Sequence, residues 1–219
     1  MGSTHTAEEV RDQCVAAMPA PLGELYDDLR NQLTWIHLKW NDFRALYADS
    51  EDTVNLLNEA APDFFHNLQR MMWEDVLLHI CRITDRPKVA GKDTLTVLRL
   101  AESIPDQSLK QAVVSLADDV KLTTKFARDW RNRRLAHREL PPQAGQSSKP
   151  LAHASRQNAE DALAALRAIM NAVSQHYLNS TTGYEHSIEA LGGVAALVSR
   201  VRLGVEARRA ELDRLRKPQ

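Results

Sequence analysis

"LGELYDDLRNQLTWIHLKWNDFRALY", residues 22–47, carries apolar side chains at steps of three and four along its whole length. Steps of this size place the apolar side chains on one face of an α-helix. The stretch therefore predicts a long amphipathic helix that buries a single face. The residues on that face are Leu22, Leu25, Tyr26, Leu29, Leu33, Ile36, Trp40, Phe43 and Tyr47.

The same period recurs through most of the remaining chain. Ser50 is a predicted N-cap of a short helix, and Pro62 is predicted to open the next one, which continues to about residue 85. Asp106 is the predicted cap of a stretch that runs as one long helix or two collinear helices, and the prolines at 141–142 end it. Another amphipathic helix is expected over 155–178. A last helix buries a stripe formed by Val194, Leu197, Val198, Val201 and Val205.

Two segments interrupt this pattern. Residues 85–94, "DRPKVAGKDT", combine Pro, Gly and Asp and predict a connection. "TLTVLRLAES", residues 94–103, alternates like a strand, but a lone strand leaves its backbone groups unpaired, so a short helix is expected. The predicted fold class is therefore all-α, a helical bundle with a long helix that ends in a basic stretch. Residues 1–180 form the bundle, and residues 181–219 form a C-terminal helix that packs on it or extends it.

Composition limits the class of protein. The 219 residues carry a formal net charge of −1, which excludes a wholly basic nucleic-acid coat but allows a local basic patch. The two cysteines are far apart, so we expect neither a disulfide framework nor a zinc site, and a reducing cytosol is the expected compartment. The N-terminus lacks the features of a secretory signal, and no stretch has the ~20 apolar residues of a membrane span. We expect a soluble, cytoplasmic protein.

"RNRRLAHREL", residues 131–140, is the most unusual segment. Seven Lys or Arg residues and one acid, Asp129, lie between Lys121 and Arg138. On a helix, opposite charges three or four positions apart attract and stabilise it, whereas like charges at that spacing repel. This basic stretch therefore destabilises its helix unless an anion binds to it. A solvated basic face, favoured by the negative end of the helix dipole, is the simple alternative to a phosphate site.

His137 lies one turn after Arg133 and Arg134, and these cations are expected to lower its pKa and favour the neutral base. Arg131 is six positions back, about 120° around a straight helix and ~9 Å along its axis. In that geometry Arg131 and His137 cannot close on one phosphate. They can do so if the helix end unwinds or if a second copy of the helix supplies the other half.

Other chemical patterns are weaker. Glu74, Asp75 and His79 have helical spacing and could bind a metal, but a polar face on a buried helix is the preferred interpretation. The chain has no glycine-rich phosphate loop and no nucleophile elbow. Its four tryptophans are expected to serve packing in a core or an interface. The arginine-rich C-terminal helix either is a solvated tail or holds RNA or a partner.

"RNRRLAH" resembles the signature of the HEPN superfamily: an arginine, then a polar residue, then a histidine a few positions on, near the end of a helix in an all-helical domain. Arg131, Asn132 and His137 fit it. The stretch from "WNDFRALY" to "CRITD", the "GKDTLTVLRL" that follows and "RNRRLAHREL" together look like the abortive-infection (AbiU-type) branch of that superfamily. The resemblance covers roughly residues 20–180.

The resemblance implies a metal-independent endoribonuclease without a cofactor, working as a homodimer whose two signature helices build one composite site. His137 would be the base or acid, Arg131 the phosphate clamp, and Asn132 would orient the histidine or the phosphate. The surrounding charge adds an expectation of its own, that further arginines hold RNA. They are Arg128, Arg133, Arg134 and Arg138.

Two alternatives stay open. The first is a catalytically silent HEPN module that binds RNA or a partner protein. The second concerns regulation: the chain would be the toxin of a two-gene pair, or an anti-phage defence protein, masked or modified by a cognate antitoxin, perhaps a nucleotidyltransferase. Both keep the all-helical fold, as does the remaining alternative, a helical bundle with a purely structural role.

Overall fold

The computed structural model describes residues 6–135, 151–186 and 192–216 of the chain, and these residues are almost entirely helical. The all-α class predicted from the sequence is confirmed. None of the helices in these ranges is long and apolar enough to cross a bilayer. The fold is therefore a helical bundle with very little sheet.

The helices follow one another with short connections. In chain order they are α1 (Ala7–Ala17), α2 (Leu22–Tyr47), α3 (Glu51–Ala60), α4 (Pro62–Ile83), α5 (Gln107–Thr123), α6 (Lys125–Trp130), α7 (Arg156–Leu178) and α8 (Val194–Arg216). A 3₁₀-helix, Val97–Ser103, precedes α5, and a π-helix, Arg131–Leu135, follows α6.

Local sequence chemistry sets the helix starts. The Ser50 hydroxyl accepts a hydrogen bond from the Thr53 backbone N–H at 3.2 Å, and the Asp106 carboxylate accepts one from the Leu109 N–H at 2.7 Å. Each satisfies a backbone donor that the first helical turn leaves open. Both predicted caps are confirmed, as is Pro62 as the first residue of α4.

The chain divides into two compact units. The first unit comprises residues 1–36 and 77–184. Within it α5 packs against α7, and the 3₁₀-helix packs against both. Its core is apolar and fully buried, which is the main source of its stability. Core residues include Leu22, Tyr26, Leu29, Leu33, Leu77, Ile80, Leu100, Val113, Leu163, Leu166 and Met170.

The second unit comprises residues 37–76 and 185–219. Its core contains Leu46, Leu57 and Phe65, and α8 packs on this cluster with half-buried valines at 194, 198 and 201. The aromatic ring of Trp40 stacks on Phe43 with centroids 5.3 Å apart. The stripe predicted for α8 is thus only half-buried.

Leu197 was wrongly assigned to that stripe, since it is 40% exposed. The packed side of α8 follows Val194, Val198 and Val201. Leu197, three positions after Val194 and four before Val201, borders this line on its solvent-exposed side. The helix packs along one narrow line of valines rather than along a broad face.

A small hairpin occupies part of the predicted connection. β1 (Lys88–Val89) pairs antiparallel with β2 (Lys92–Asp93), and Ala90 and Gly91 form the turn with positive φ angles. Glycine adopts this backbone conformation without strain, which explains the Gly at 91. The segment that follows is helical as expected, but as the 3₁₀-helix Val97–Ser103.

Candidate functional site

The basic signature begins where α6 changes into a π-helix. Arg131, Asn132, Arg133 and Arg134 all lie in the π-helical segment Arg131–Leu135. A π-helix pairs residues five apart, so its turn is wider than that of an α-helix, and such turns are frequent at functional sites. The straight α-helical geometry assumed in the sequence analysis therefore does not hold over residues 131–135.

Asp85 binds two arginines of this segment through one oxygen. The Nη1 atom of Arg131 lies 2.8 Å from Asp85 Oδ1, and the Nη1 atom of Arg128 lies 3.0 Å from the same oxygen. All three side chains are partly buried. Two cations share one carboxylate, so the cluster keeps a net positive charge that favours an anion.

The rest of Arg128 is anchored to the protein. Its Nη2 atom donates to the Thr84 carbonyl oxygen at 2.7 Å and to the Thr84 hydroxyl at 3.2 Å. Thr84 is itself buried, and its hydroxyl donates to the Ile80 carbonyl at 2.7 Å. Arg128 was predicted to hold RNA, and the structure engages its guanidinium with the end of α4 and Asp85.

Arg131 has a second fixed contact. Its Nε atom donates to the Asn132 side-chain oxygen at 3.2 Å, while Nη1 binds Asp85. Hydrogen bonds from two directions define the plane of a guanidinium group. Asn132, predicted to orient the histidine or the phosphate, here contacts the arginine that was predicted to clamp the phosphate.

Asp129 and Trp130 hold the backbone of Ala152, just before α7. The indole Nε1 of Trp130 donates to the Ala152 carbonyl at 2.7 Å, and the Ala152 N–H donates to Asp129 Oδ2 at 2.8 Å. Arg133 lies 3.6 Å from the same Asp129 oxygen. The Arg134 guanidinium lies over the Trp130 ring, 5.3 Å from its centroid. Arg134 is exposed and supported by an aromatic face.

Cys81 is buried near the two arginines that bind Asp85. Burial raises the pKa of the Cys81 thiol to about 11, although the charges of Arg131 and Arg128 oppose that shift. The thiol is therefore neutral at neutral pH. The charge that balances these arginines comes from Asp85 and not from a thiolate.

His137 and Arg138 lie outside the described residues. The structure brings together Arg128, Arg131 and Asn132 around Asp85 and places Arg133 and Arg134 beside Asp129 and Trp130. The roles assigned to His137 and to Arg138 stay predictions.

Asp85 and Thr84 were missed by the sequence analysis. Residues 85–94 were interpreted only as a connection, because their Pro, Gly and Asp content is typical of one. The available signal was Asp85 itself, an acidic residue that directly follows a helix and comes before the basic signature in the chain. No spacing rule links positions 85 and 131, since their contact spans 46 residues of sequence.

Two of the possible metal ligands on α4, Asp75 and His79, have protein partners. Asp75 pairs with Lys39, with Nζ and Oδ2 2.7 Å apart, and the His79 Nε2 atom lies 3.0 Å from Gln32 Oε1. Within the ranges that the structure covers, no three His, Cys, Asp or Glu side chains are grouped as a metal would need. These contacts fit the interpretation as polar residues of a packed helix.

An all-helical bundle in which a basic segment follows a helix is the arrangement that the resemblance to HEPN domains implies. The profile of the HEPN family AbiU2 matches residues 20–195, most of the chain. The chain therefore belongs to the AbiU2 family of HEPN domains. Curated proteins and solved structures yield no match.

Proposed function

We propose that this protein is a metal-independent endoribonuclease that cleaves RNA at a site shared by two copies of the chain. The observation that carries the proposal is the fixed guanidinium of Arg131, held by Asp85 and Asn132 at the start of a π-helix. Membership of a HEPN family supports it. A rigid arginine with a net positive surrounding is suited to a phosphate whose charge grows during reaction.

The proposed reaction uses the ribose 2′-hydroxyl as nucleophile. A neutral His137 removes the hydroxyl proton, and the oxygen attacks the adjacent phosphorus. The bond from phosphorus to the 5′-oxygen breaks, and a protonated imidazole returns a proton to that oxygen. Arg131 binds the non-bridging oxygens as their charge develops. The products are a 2′,3′-cyclic phosphate and a free 5′-hydroxyl, so DNA is not a substrate.

The second copy completes the site. In a two-fold symmetric dimer the same surface patch of each chain faces its counterpart. Two signature segments arranged in this way place Arg131 and His137 of both chains around one phosphate. Each chain supplies half of the clamp and one of the two proton-transfer groups.

The neighbouring arginines have separate roles in this proposal. Arg134, exposed and stacked on Trp130, holds the RNA backbone together with Arg133 and Arg138. Arg128 acts mainly as a positioning residue, because Thr84 and Asp85 already occupy its guanidinium. It fixes the carboxylate that in turn fixes Arg131.

A silent RNA-binding module is the second candidate. The ion pairs of Asp85 favour this candidate, because the carboxylate neutralises part of the positive charge of Arg131 and Arg128. Less charge then remains to stabilise a reacting phosphate. In that case RNA binds the basic surface without being cut. Either activity fits a role in anti-phage defence or as a toxin, controlled by a cognate antitoxin of the nucleotidyltransferase type, and a gene for such an enzyme beside this one is the expected companion.

The test is cleavage of RNA and DNA oligonucleotides of one sequence with EDTA present. We expect RNA to be cut to a 2′,3′-cyclic phosphate end and DNA to stay intact. His137→Ala abolishes the cutting, whereas His153→Ala, an exposed histidine outside the signature, is a matched control that leaves it unchanged. Binding of RNA by wild-type protein without any cleavage would establish the silent module instead.

A further inference from the structure

A cavity of about 320 Å³ opens beside Asp85 in the first unit. Its size is typical of a small-molecule site, and its lining mixes apolar and polar side chains as such sites do. It is lined by Gln32, Arg82, Ile83, Asp85, Thr94 and Leu95. Asp85 is the residue that binds Arg131, so the cavity borders the proposed phosphate clamp.

We propose that this cavity binds a nucleobase of single-stranded RNA, next to the phosphate that Arg131 holds. The inference rests on the proposed function and adds to it a subsite that selects the base. Proteins recognise single-stranded RNA by taking unstacked bases into pockets, where the base face meets apolar, aromatic or guanidinium groups and the base edge is hydrogen-bonded. The lining supplies both kinds of contact.

The faces of a base would be covered by Leu95 and the guanidinium of Arg82. Leu95 is partly exposed at the cavity, so its side chain contacts whatever enters. Arg82 is exposed and forms no ion pair with another described residue. Its planar group is therefore available for stacking.

Gln32 supplies the donor that reads the base edge. His79 is buried, and its Nε2 atom lies 3.0 Å from Gln32 Oε1. In the Nε2–H tautomer, His79 donates to this oxygen and orients the amide. The amide nitrogen of Gln32 makes no hydrogen bond to any residue in the described ranges. This nitrogen is a hydrogen-bond donor. A donor at the base edge favours guanine or uracil, whose edges carry carbonyl oxygens, over adenine, which presents an amino group.

Residues near the cavity carry positive charge that could bind the phosphates of the RNA backbone. Arg86, Lys88 and Lys92 are exposed on the hairpin and have no ion pair with other residues of the described part. The Thr94 hydroxyl donates to the Arg86 carbonyl, and the Thr94 N–H donates to the Pro87 carbonyl at 3.0 Å. These bonds close the hairpin at the cavity edge, so its cations flank the entrance and suit successive phosphates.

The test uses 2′-O-methyl RNA hexamers, which bind but cannot be cleaved because the nucleophilic hydroxyl is blocked. One abasic position is moved along the hexamer, and fluorescence anisotropy measures Kd at each position. We expect one position to weaken binding at least about fivefold, because that nucleotide loses its base contacts. Adenine at the same position weakens binding relative to guanine or uracil. If no position matters, the subsite does not exist.

Two variants tie the effect to the cavity. Leu95→Trp fills the cavity, so the intact and abasic hexamers should then bind with equal Kd. The control Leu122→Trp, on the exposed face of α5, should keep the wild-type difference in Kd between the two hexamers. Gln32→Glu keeps an acceptor toward His79 but replaces the donor, so adenine should become the preferred base. Retention of the wild-type base preference in both variants would overturn the assignment, and circular dichroism confirms that each variant is folded.

The two proposals fail separately. Cleavage of RNA by a protein that is indifferent to every abasic position would remove the base subsite and leave the ribonuclease intact. Position-specific binding that depends on Leu95 and Gln32, in a protein that never cuts RNA, would keep the subsite and remove the nuclease.

Discussion

Asp85 and Arg131 form a partly buried ion pair, with Oδ1 and Nη1 2.8 Å apart, between the segment that follows α4 and the start of the π-helix. Arg128 binds the same oxygen at 3.0 Å. The carboxylate both orients Arg131 and reduces the positive charge around it. Binding and orientation therefore depend on Asp85 in opposite directions, which makes it the most informative position to change.

Asp85→Asn should separate those two effects. Loss of the negative charge strengthens attraction for RNA, so KM should fall a few-fold, while Arg131 loses its fixed orientation and kcat should fall about tenfold or more. Steady-state cleavage of a fluorogenic RNA measures both constants. Asp93→Asn, which removes a nearby carboxylate that pairs with Arg99, is the matched control and leaves kcat unchanged. An unaltered kcat in Asp85→Asn would contradict a positioning role.

Arg131→Lys tests the need for a forked cation. Lysine keeps the charge but cannot bind Asp85, Asn132 and a phosphate with several fixed N–H groups at once. We expect kcat to fall about 10²-fold, with the thermal midpoint nearly unchanged, measured by single-turnover cleavage and by circular dichroism. Arg214→Lys, in the exposed end of α8, should behave as wild type. Wild-type turnover by Arg131→Lys would show that charge alone suffices.

A mixture of two inactive variants tests the shared site. Arg131→Ala and His137→Ala are each inactive as pure dimers, but a mixed dimer retains one arginine and one histidine, donated by different chains. If the site is composite, mixing should restore a small fraction of wild-type cleavage, because the one remaining imidazole accepts the 2′-hydroxyl proton and water protonates the leaving 5′-oxygen. The assay uses mixed dimers purified through two different tags. Mixed dimers that form and stay inactive would argue that each chain carries its own site.

Leu57→Ala tests the core of the second unit. Leu57 is buried with Leu46 and Phe65, and α8 packs on this cluster through its valines. Removing the side chain leaves a cavity, so the free energy of unfolding should fall by about 2–5 kcal/mol, measured by urea denaturation. Leu203→Ala, at a position of α8 that is 64% exposed, should change it by less than about 0.5 kcal/mol. Equal effects of the two variants would contradict the assigned packing.

The two cysteines should be unreactive in the native protein. Cys14 and Cys81 are each 1% exposed, and burial raises the pKa of Cys14 and brings that of Cys81 to about 11. The thiolate is the reactive form, so an aromatic disulfide at pH 8 should label neither residue within minutes and both after denaturation. Rapid labelling of native Cys81 would show that its burial is transient.

The raised pKa of Cys81 also predicts a pH dependence of stability. An unfolded thiol ionises near pH 8.5, whereas the folded thiol ionises at about 11. Between these values the unfolded chain has lost the proton that the folded chain keeps, so the free energy of unfolding should fall as pH rises. Urea titrations at pH 8 and pH 10 measure this slope, and Cys81→Ala should reduce it.

Features set by local chemistry were predictable from the sequence. The bounds of α2 match the predicted 22–47, because its apolar period is unbroken, and Ser50 and Asp106 cap their helices because their side chains reach nearby backbone donors. The capping box of α1, formed by Thr6 and Glu9, carries a recognisable signal as well, although no helix was predicted there.

Features set by distant contacts were not predictable. The pairing of Asp85 with Arg131 arises from the packing of helices far apart in the chain, which no period records. The π-helix depends on a shift of one residue in backbone pairing, and any sequence rule for it is weak. Trp35 was expected to pack in a core or an interface, and its 60% exposure in the single chain contradicts only the core assignment. The break between α5 and α6 at Thr124 likewise left no clear mark beyond the two threonines.

Two hydrogen bonds, from Trp130 to the Ala152 carbonyl and from the Ala152 N–H to Asp129, hold positions 129–130 and 152 together. Because positions 129–130 and 152 are held together, the entropic cost of any chain inserted between them grows only logarithmically with its length, by roughly 0.6 kcal/mol for each doubling. We therefore expect insertions between residues 135 and 151 to leave the start of α7 in place. A reporter domain inserted between Gln143 and Pro150 is a practical way to label the protein near its proposed working end.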